Sequence, residues 1–194
     1  MRGETYLILT PSERTCRRLS ETGSFAGDLT QPGSDHHKVR PMTIRTESRI
    51  KIASNVHEVW AYVCDVGRWP EWAPTVVECW VHGGGPIQPG SRVDQRAKDL
   101  GRAHSRSQEV TTVEPPGSVA FAGRMGISPS RWGMELKPVG DGQTDATMWI
   151  EVDLAGVMRA VPGLLKGSLQ RVSDREMVAI KAAVESATRA GAES

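Results

Sequence analysis

Asn55-Val56-His57-Glu58-Val59-Trp60-Ala61-Tyr62-Val63-Cys64-Asp65-Val66-Gly67-Arg68-Trp69-Pro70-Glu71-Trp72-Ala73-Pro74 is the stretch whose reading decides the fold. Ser54 or Asn55 can cap a helix here, because a short side-chain oxygen satisfies a free N–H of the first turn. Val56, Val59, Trp60 and Val63 then recur at helical spacing and predict one apolar stripe. Gly67 and Pro70 stop that helix, and a short turn carries Trp69 and Trp72 onward. Large flat side chains of this kind suit the wall of a cavity as well as an ordinary core.

Working outward, Ile44, Thr46, Ser48, Ile50 and Ile52 alternate with Arg45, Glu47, Arg49 and Lys51. Period two with one charged face predicts a half-solvated antiparallel strand. Downstream, strands are expected over 76–82, 91–98, 102–113, 119–125, 131–138 and 144–154. Gly83-Gly84-Gly85-Pro86, Pro89-Gly90, Gly101, Glu114-Pro115-Pro116-Gly117 and Gly140-Asp141-Gly142 punctuate them, which reads as an antiparallel meander. Beyond Gly156 the period changes. Pro162 suits a first helical turn, where its missing N–H is no loss. Leu165, Leu169, Val172, Ala179, Ala183 and Ala187 form a stripe flanked by Leu164, Ser168, Ile180 and Val184, giving one amphipathic helix of about 25 residues. Gly163 and Gly167 each weaken its first turns by about 1 kcal/mol relative to Ala.

Asp65 and the run Trp69-Pro70-Glu71-Trp72-Ala73-Pro74, preceded by Ile50, Ile52 and Val59-Trp60, carry a family resemblance. Over roughly 42–190 the chain resembles the START-like superfamily, in its polyketide cyclase/dehydrase group. The resemblance implies an α+β helix-grip fold. A curved antiparallel sheet of about seven strands wraps a long C-terminal helix, two short helices follow the first strand, and a cavity lies between sheet and helix. Residues 1–41 read differently, with Thr, Ser, Gly, Pro and mixed charges in little order, and are expected to be a disordered extension.

Bulk composition excludes several classes. A chain of 194 residues with a formal net charge of +1 carries no nucleic-acid footprint. Its apolar runs are too short to span a bilayer, and Tyr6-Leu7-Ile8-Leu9 is too short for a secretory signal. Cys16, Cys64 and Cys79 lack metal-type spacing and read as reduced thiols of a cytoplasmic protein. Asp35-His36-His37 lacks the fixed geometry a metal site needs. No cofactor signature is present: no G-x-S-x-G elbow, no phosphate-cradling Gly loop and no H-E-x-x-H pair.

Strand phase assigns the cavity face. Ala146, Met148, Ile150 and Val152 should point inward, as should Trp132, Met134 and Leu136, and Val119, Phe121, Gly123 and Met125. Trp149 falls on the outer phase, unexplained by the pattern. On the polar strand two phases compete. With Val110 inward, Gln108, Arg106 and His104 share its face and Gln95 joins them from the neighbouring strand; buried, such groups need partners or a ligand. In the reverse phase, Ala103, Ser105 and Ser107 face in, and a bulge would flip the choice.

A hydrophobic small molecule is the expected partner, held by Trp60, Trp69, Trp72, Gln95, Gln108, Phe121, Trp132, Met134, Met148, Ile150, Leu165 and Leu169. If the likeness extends to activity, the reaction is an aldol-type closure or dehydration of a poly-β-keto or aromatic substrate, in which positioning supplies much of the rate. His104 would move protons and Arg106 would stabilise an enolate or hold a carboxylate. A non-catalytic carrier or sensor of a lipid or other apolar metabolite needs only the lining. A partner-binding protein would instead show an exposed apolar patch. The chain is expected to be a monomer or a homodimer.

Overall fold

Asn55 does cap the first helix: its side-chain oxygen accepts from the backbone N–H groups of His57 and Glu58, both at 3.1 Å. The computed structural model describes residues 42–99, 101–140 and 142–192. The expected N-terminal extension, with Cys16 and Asp35-His36-His37, lies outside them. The order is β1 (Met42–Ile52), α1 (Val56–Cys64), a 3-10 turn (Val66–Arg68), α2 (Trp69–Trp72), β2 (Val76–Val81), β3 (Arg92–Asp99), β4 (Arg102–Glu114), β5 (Ser118–Met125), β6 (Ser128–Val139), β7 (Gln143–Leu154), a second 3-10 turn (Gly156–Ala160) and α3 (Pro162–Ala192). The last helix runs 31 residues, longer than its apolar pattern.

The strands form one antiparallel sheet in the order β1-β7-β6-β5-β4-β3-β2. β1 and β2 are consecutive in sequence yet sit at opposite edges. The α1–α2 hairpin therefore has to cross from one edge to the other, over the face on which α3 also packs. That crossing puts Val59, Val63, Val66, Trp69 and Trp72 into the core. Trp69 is fully buried, and its indole N–H donates to the Val63 carbonyl at 3.0 Å, locking the hairpin's bend. On α1 the core stripe includes Tyr62, while Trp60 is half-buried at its margin.

α3 shows a larger departure. Its buried positions are Leu169, Ser173, Met177, Ile180 and Val184. The expected stripe through Ala179, Ala183 and Ala187 is rotated: Ala187 and Leu164 are exposed. Alanine offers little area, so Met177, Ile180 and Val184 decide which way the helix faces. One flank of α3 is strapped to β1 by polar bonds. Ser48 Oγ donates to Asp174 Oδ1 at 2.5 Å, Gln170 Nε2 donates to Ser48 Oγ at 2.9 Å, and Lys181 Nζ donates to the Lys51 carbonyl at 2.6 Å.

Trp149 lies on the outer face, opposite Gly133 in register. Its ring covers the glycine's backbone, and the Arg45 guanidinium sits 5.2 Å above the ring centroid. A Cβ at Gly133 would lie 2.7 Å from the Val119 carbonyl oxygen and 2.8 Å from the Trp149 ring. Aromatic cover replaces the side chain that glycine lacks. Gly133→Ala is expected to lower unfolding stability by about 1–3 kcal/mol, the range for forced overpacking. Urea denaturation of the two proteins measures it, and an unchanged midpoint would refute the close packing.

Candidate functional site

The helical hairpin crosses the sheet near its middle, while α3 is tied down along β1. Between them, on the β3–β6 side, the space is not filled. A cavity of about 350 Å³ opens there, lined mainly by apolar side chains of α2, β5–β7 and α3. An aromatic cluster forms and backs its inner wall. Phe121 and Trp132 stack at 4.4 Å between centroids; Trp69 meets them edge-on at 5.1 and 5.2 Å, and Trp72 lies 5.9 Å from Trp69.

The bulge that could have flipped β4 lies between Val110 and Thr112. The segment before it keeps its phase, so Arg106 and Gln108 share Val110's face and line the cavity, joined by Gln95 from β3. Gln108 Oε1 accepts from the Trp132 indole N–H at 2.7 Å. Arg106 Nη2 donates to Thr75 Oγ1 at 3.2 Å. On the opposite face Asp94 accepts from Arg92 at 2.7 Å and from Ser107 at 2.5 Å, and these bonds hold its carboxyl down at about 2.

Of the residues expected to contact a ligand, Trp69, Trp72, Gln95, Gln108, Trp132, Met148, Ile150 and Leu169 line the cavity, with Arg106. Five lie outside its wall. His104 shares Arg106's phase but is exposed near the start of β4, beyond the cavity. Trp60 packs half-buried against the main core cluster, away from the cavity lining. Phe121 and Met134 are fully buried behind the surface the cavity presents, and Leu165 sits one turn before Leu169 in a neighbouring apolar cluster. Two thiols, Cys64 and Cys79, are pushed up to about 12 by burial, which suppresses thiolate chemistry. No cluster of metal-ligating side chains occurs among the described residues.

Glu176 is the group the sequence reading missed. It lines the cavity from α3, and desolvation pushes its carboxyl up to about 7 against the opposing pull of the Arg106 cation. The signal was present. Leu169, Val172, Glu176 and Ile180 are spaced three, four and four apart, which puts a carboxylate in line with the helix's apolar face. A second polar feature is the Trp72 indole N–H, buried at the cavity with no hydrogen-bond partner among the described residues. An unmet buried donor is costly and suits an acceptor brought by a ligand.

Residues 43–185 match the family model described as polyketide cyclase / dehydrase and lipid transport. The chain belongs to that family. No curated protein matches it. Among solved structures, it is similar to a START superfamily protein from Mycobacterium smegmatis, at 15% identity and TM-score 0.61, covering 73% of this chain and 97% of that one. The di-domain ARO/CYC StfQ of the steffimycin biosynthetic pathway aligns at 17% identity and TM-score 0.62, over 80% of this chain and 55% of that one. The Zhui aromatase/cyclase from Streptomyces sp. R1128 aligns at 15% identity and TM-score 0.58, over 76% and 94%. At such identities the likeness is one of fold, and it fixes the helix-grip architecture for this family member.

The Glu176 carboxyl has its folded-state value raised, so the folded chain binds the proton more tightly than the unfolded chain between about 4.5 and about 7. Stability is therefore fullest below that window and falls as pH rises through it. Glu176→Gln should remove this slope, making the variant more stable than the parent at pH 8 by up to about 3 kcal/mol and nearly equal at pH 4. Thermal unfolding across that range measures it; parallel pH profiles for the two proteins would show that Glu176 is solvated.

Proposed function

We propose that the cavity binds an apolar small molecule bearing carbonyl or enol oxygens, and that Arg106 and Glu176 act on those oxygens in an aldol-type ring closure or dehydration. The observation that carries this is the placement of the Arg106 cation and the near-neutral Glu176 carboxyl in the lining of one mainly apolar cavity. Its volume falls at the lower end of the range for small-molecule sites, about 300–1,000 Å³. Membership of the cyclase/dehydrase family supports the substrate class.

The roles follow from the chemistry of the groups. Ionised Glu176 takes a proton from the carbon between two carbonyls. Arg106 stabilises the resulting enolate by charge-assisted hydrogen bonding. The enolate carbon attacks a second carbonyl folded against the aromatic wall, and protonated Glu176 returns the proton to the new alkoxide. A group titrating near neutrality is well matched to both transfers. The proton-handling role expected of His104 is thus better filled by Glu176, which faces the reacting space. Trp72 N–H and Gln95 are placed to orient a second oxygen, and the aromatic wall holds the chain folded.

Dodecanoate, an apolar chain with one anionic end, probes the binding step through tryptophan fluorescence. Arg106→Ala should weaken its binding about 10- to 100-fold, the worth of one charge-assisted hydrogen bond. Equal affinity in parent and variant would remove Arg106 from the site. A poly-β-keto thioester analogue probes the chemistry: Glu176→Gln should keep binding and lose cyclisation. Retained cyclisation would overturn the proton role, and binding without turnover in the parent protein would identify a carrier.

A further inference from the structure

Three segments meet beside the cavity's end: the β5–β6 turn at Gly126-Ile127, the 3-10 turn Gly156–Ala160, and the first turn of α3. The Ala155 N–H donates to Ser128 Oγ at 3.1 Å, and Ser128 Oγ donates to Met158 Sδ at 3.3 Å. A Cβ on Gly156 would lie 3.0 Å from Ile127 Cδ1. Beneath them Met158 and Leu165 pack with Met125, Ile150 and Leu169, and the last three also line the cavity. The collar is therefore continuous with the cavity wall.

Its outer surface is apolar where water should disfavour it. Val157 is 87% exposed, Leu164 72%, Ile127 61% and Val161 49%. The charge carried by these segments has one sign. Residues 154–173 contain Arg159, Lys166 and Arg171 and no carboxylate, and residues 115–134 contain Arg124 and Arg131 and no carboxylate. Arg131 is paired on the outer sheet face with Glu151 at 3.4 Å and Asp153 at 3.7 Å. Arg124, Arg159, Lys166 and Arg171 are exposed and form no ion pair with a described residue. Arg124 instead donates to the Ile127 carbonyl at 2.6 Å and holds the turn in shape. Helix stability does not call for this pattern, since the N-terminal turn of a helix favours carboxylates over cations. In a chain of net charge +1, the segregation is local.

We propose that this collar docks the protein on an anionic bilayer surface, with Ile127, Val157, Val161 and Leu164 entering the headgroup–acyl boundary and the four cations meeting lipid phosphates. The four apolar side chains project singly from two turns and a helix start. A protein partner would need a matching set of pockets, whereas acyl chains take up any shape. Each cation adds attraction to an anionic surface, additively and with salt sensitivity. No helix among the described residues is long and apolar enough to cross a membrane, so the contact is interfacial. Of these eight residues, Arg124 alone also lines the cavity.

Sedimentation of the full chain with vesicles tests this. With phosphatidylglycerol and phosphatidylcholine in equal parts, partitioning should exceed that on pure phosphatidylcholine by at least about tenfold, as four surface cations imply. It should collapse near 1 M salt, where screening acts within about 3 Å. The Val157→Glu/Leu164→Glu and Arg159→Glu/Lys166→Glu variants should both lose it while dodecanoate still quenches their tryptophans. Equal partitioning of the parent on the two vesicle types overturns the proposal, as does undiminished partitioning of folded Val157→Glu/Leu164→Glu. Capture of an acidic protein with no vesicle binding overturns it in favour of a protein partner.

Discussion

Trp69 holds the molecule's interior in its arrangement. Its N–H closes the hairpin onto the Val63 carbonyl, and its ring meets Phe121 and Trp132 from the sheet and Trp72 from its own helix. The sheet topology forces a connection between its two edges, and this residue fixes where that connection lies. Aromatic edge-to-face contacts are directional as well as apolar. The hairpin is thereby held against β5 and β6 and cannot slide toward α3 to fill the gap. The cavity is what remains when a rigid aromatic wedge and a long helix share one concave face.

The helix is held unevenly, and the unevenness shapes the site. Toward β1 it is bound by hydrogen bonds from Ser48, Gln170 and Lys181. Toward β3 and β4 its Glu176 lines the cavity together with Arg106 of β4. Desolvation raises the carboxyl while the cation opposes the rise. A group buried alone would move further, and a tightly paired one would fall. The compromise near neutrality follows from partial burial beside a cation that Thr75 also engages. Asp94, on the other face of the same sheet, shows the contrary outcome. Hydrogen bonds from Arg92 and Ser107 outweigh desolvation, and its carboxyl drops.

Local pattern carried most of the fold. Period two on β1 and β7, the breaks at Gly83–Pro86 and Pro115–Pro116, and the capping residue before Val56 are short-range signals that no tertiary contact overrides here. The failures have physical causes. On α3 the pattern centres the C-terminal half of the stripe on Ala179, Ala183 and Ala187 with Ile180 and Val184 as flanks, whereas burial is centred on the larger Met177, Ile180 and Val184, and Ala179 and Ala183 pack at its margin. Phase alone put His104 with Arg106. The cavity has a finite length, and His104 lies beyond its end. Trp149 looked anomalous because the residue that explains it, Gly133, is adjacent only through strand register.

By itself the sequence determined the succession of elements, the inward faces of the strands and the aromatic character of the hairpin, because each depends on neighbours within a few positions. Tertiary structure alone decided that the space beneath the hairpin stays open, and that Glu176 meets Arg106 across it. Those facts depend on how far a helix stands from a sheet. That distance is set by side chains more than a hundred residues apart along the chain, such as Ser48 and Asp174, and no local periodicity encodes it.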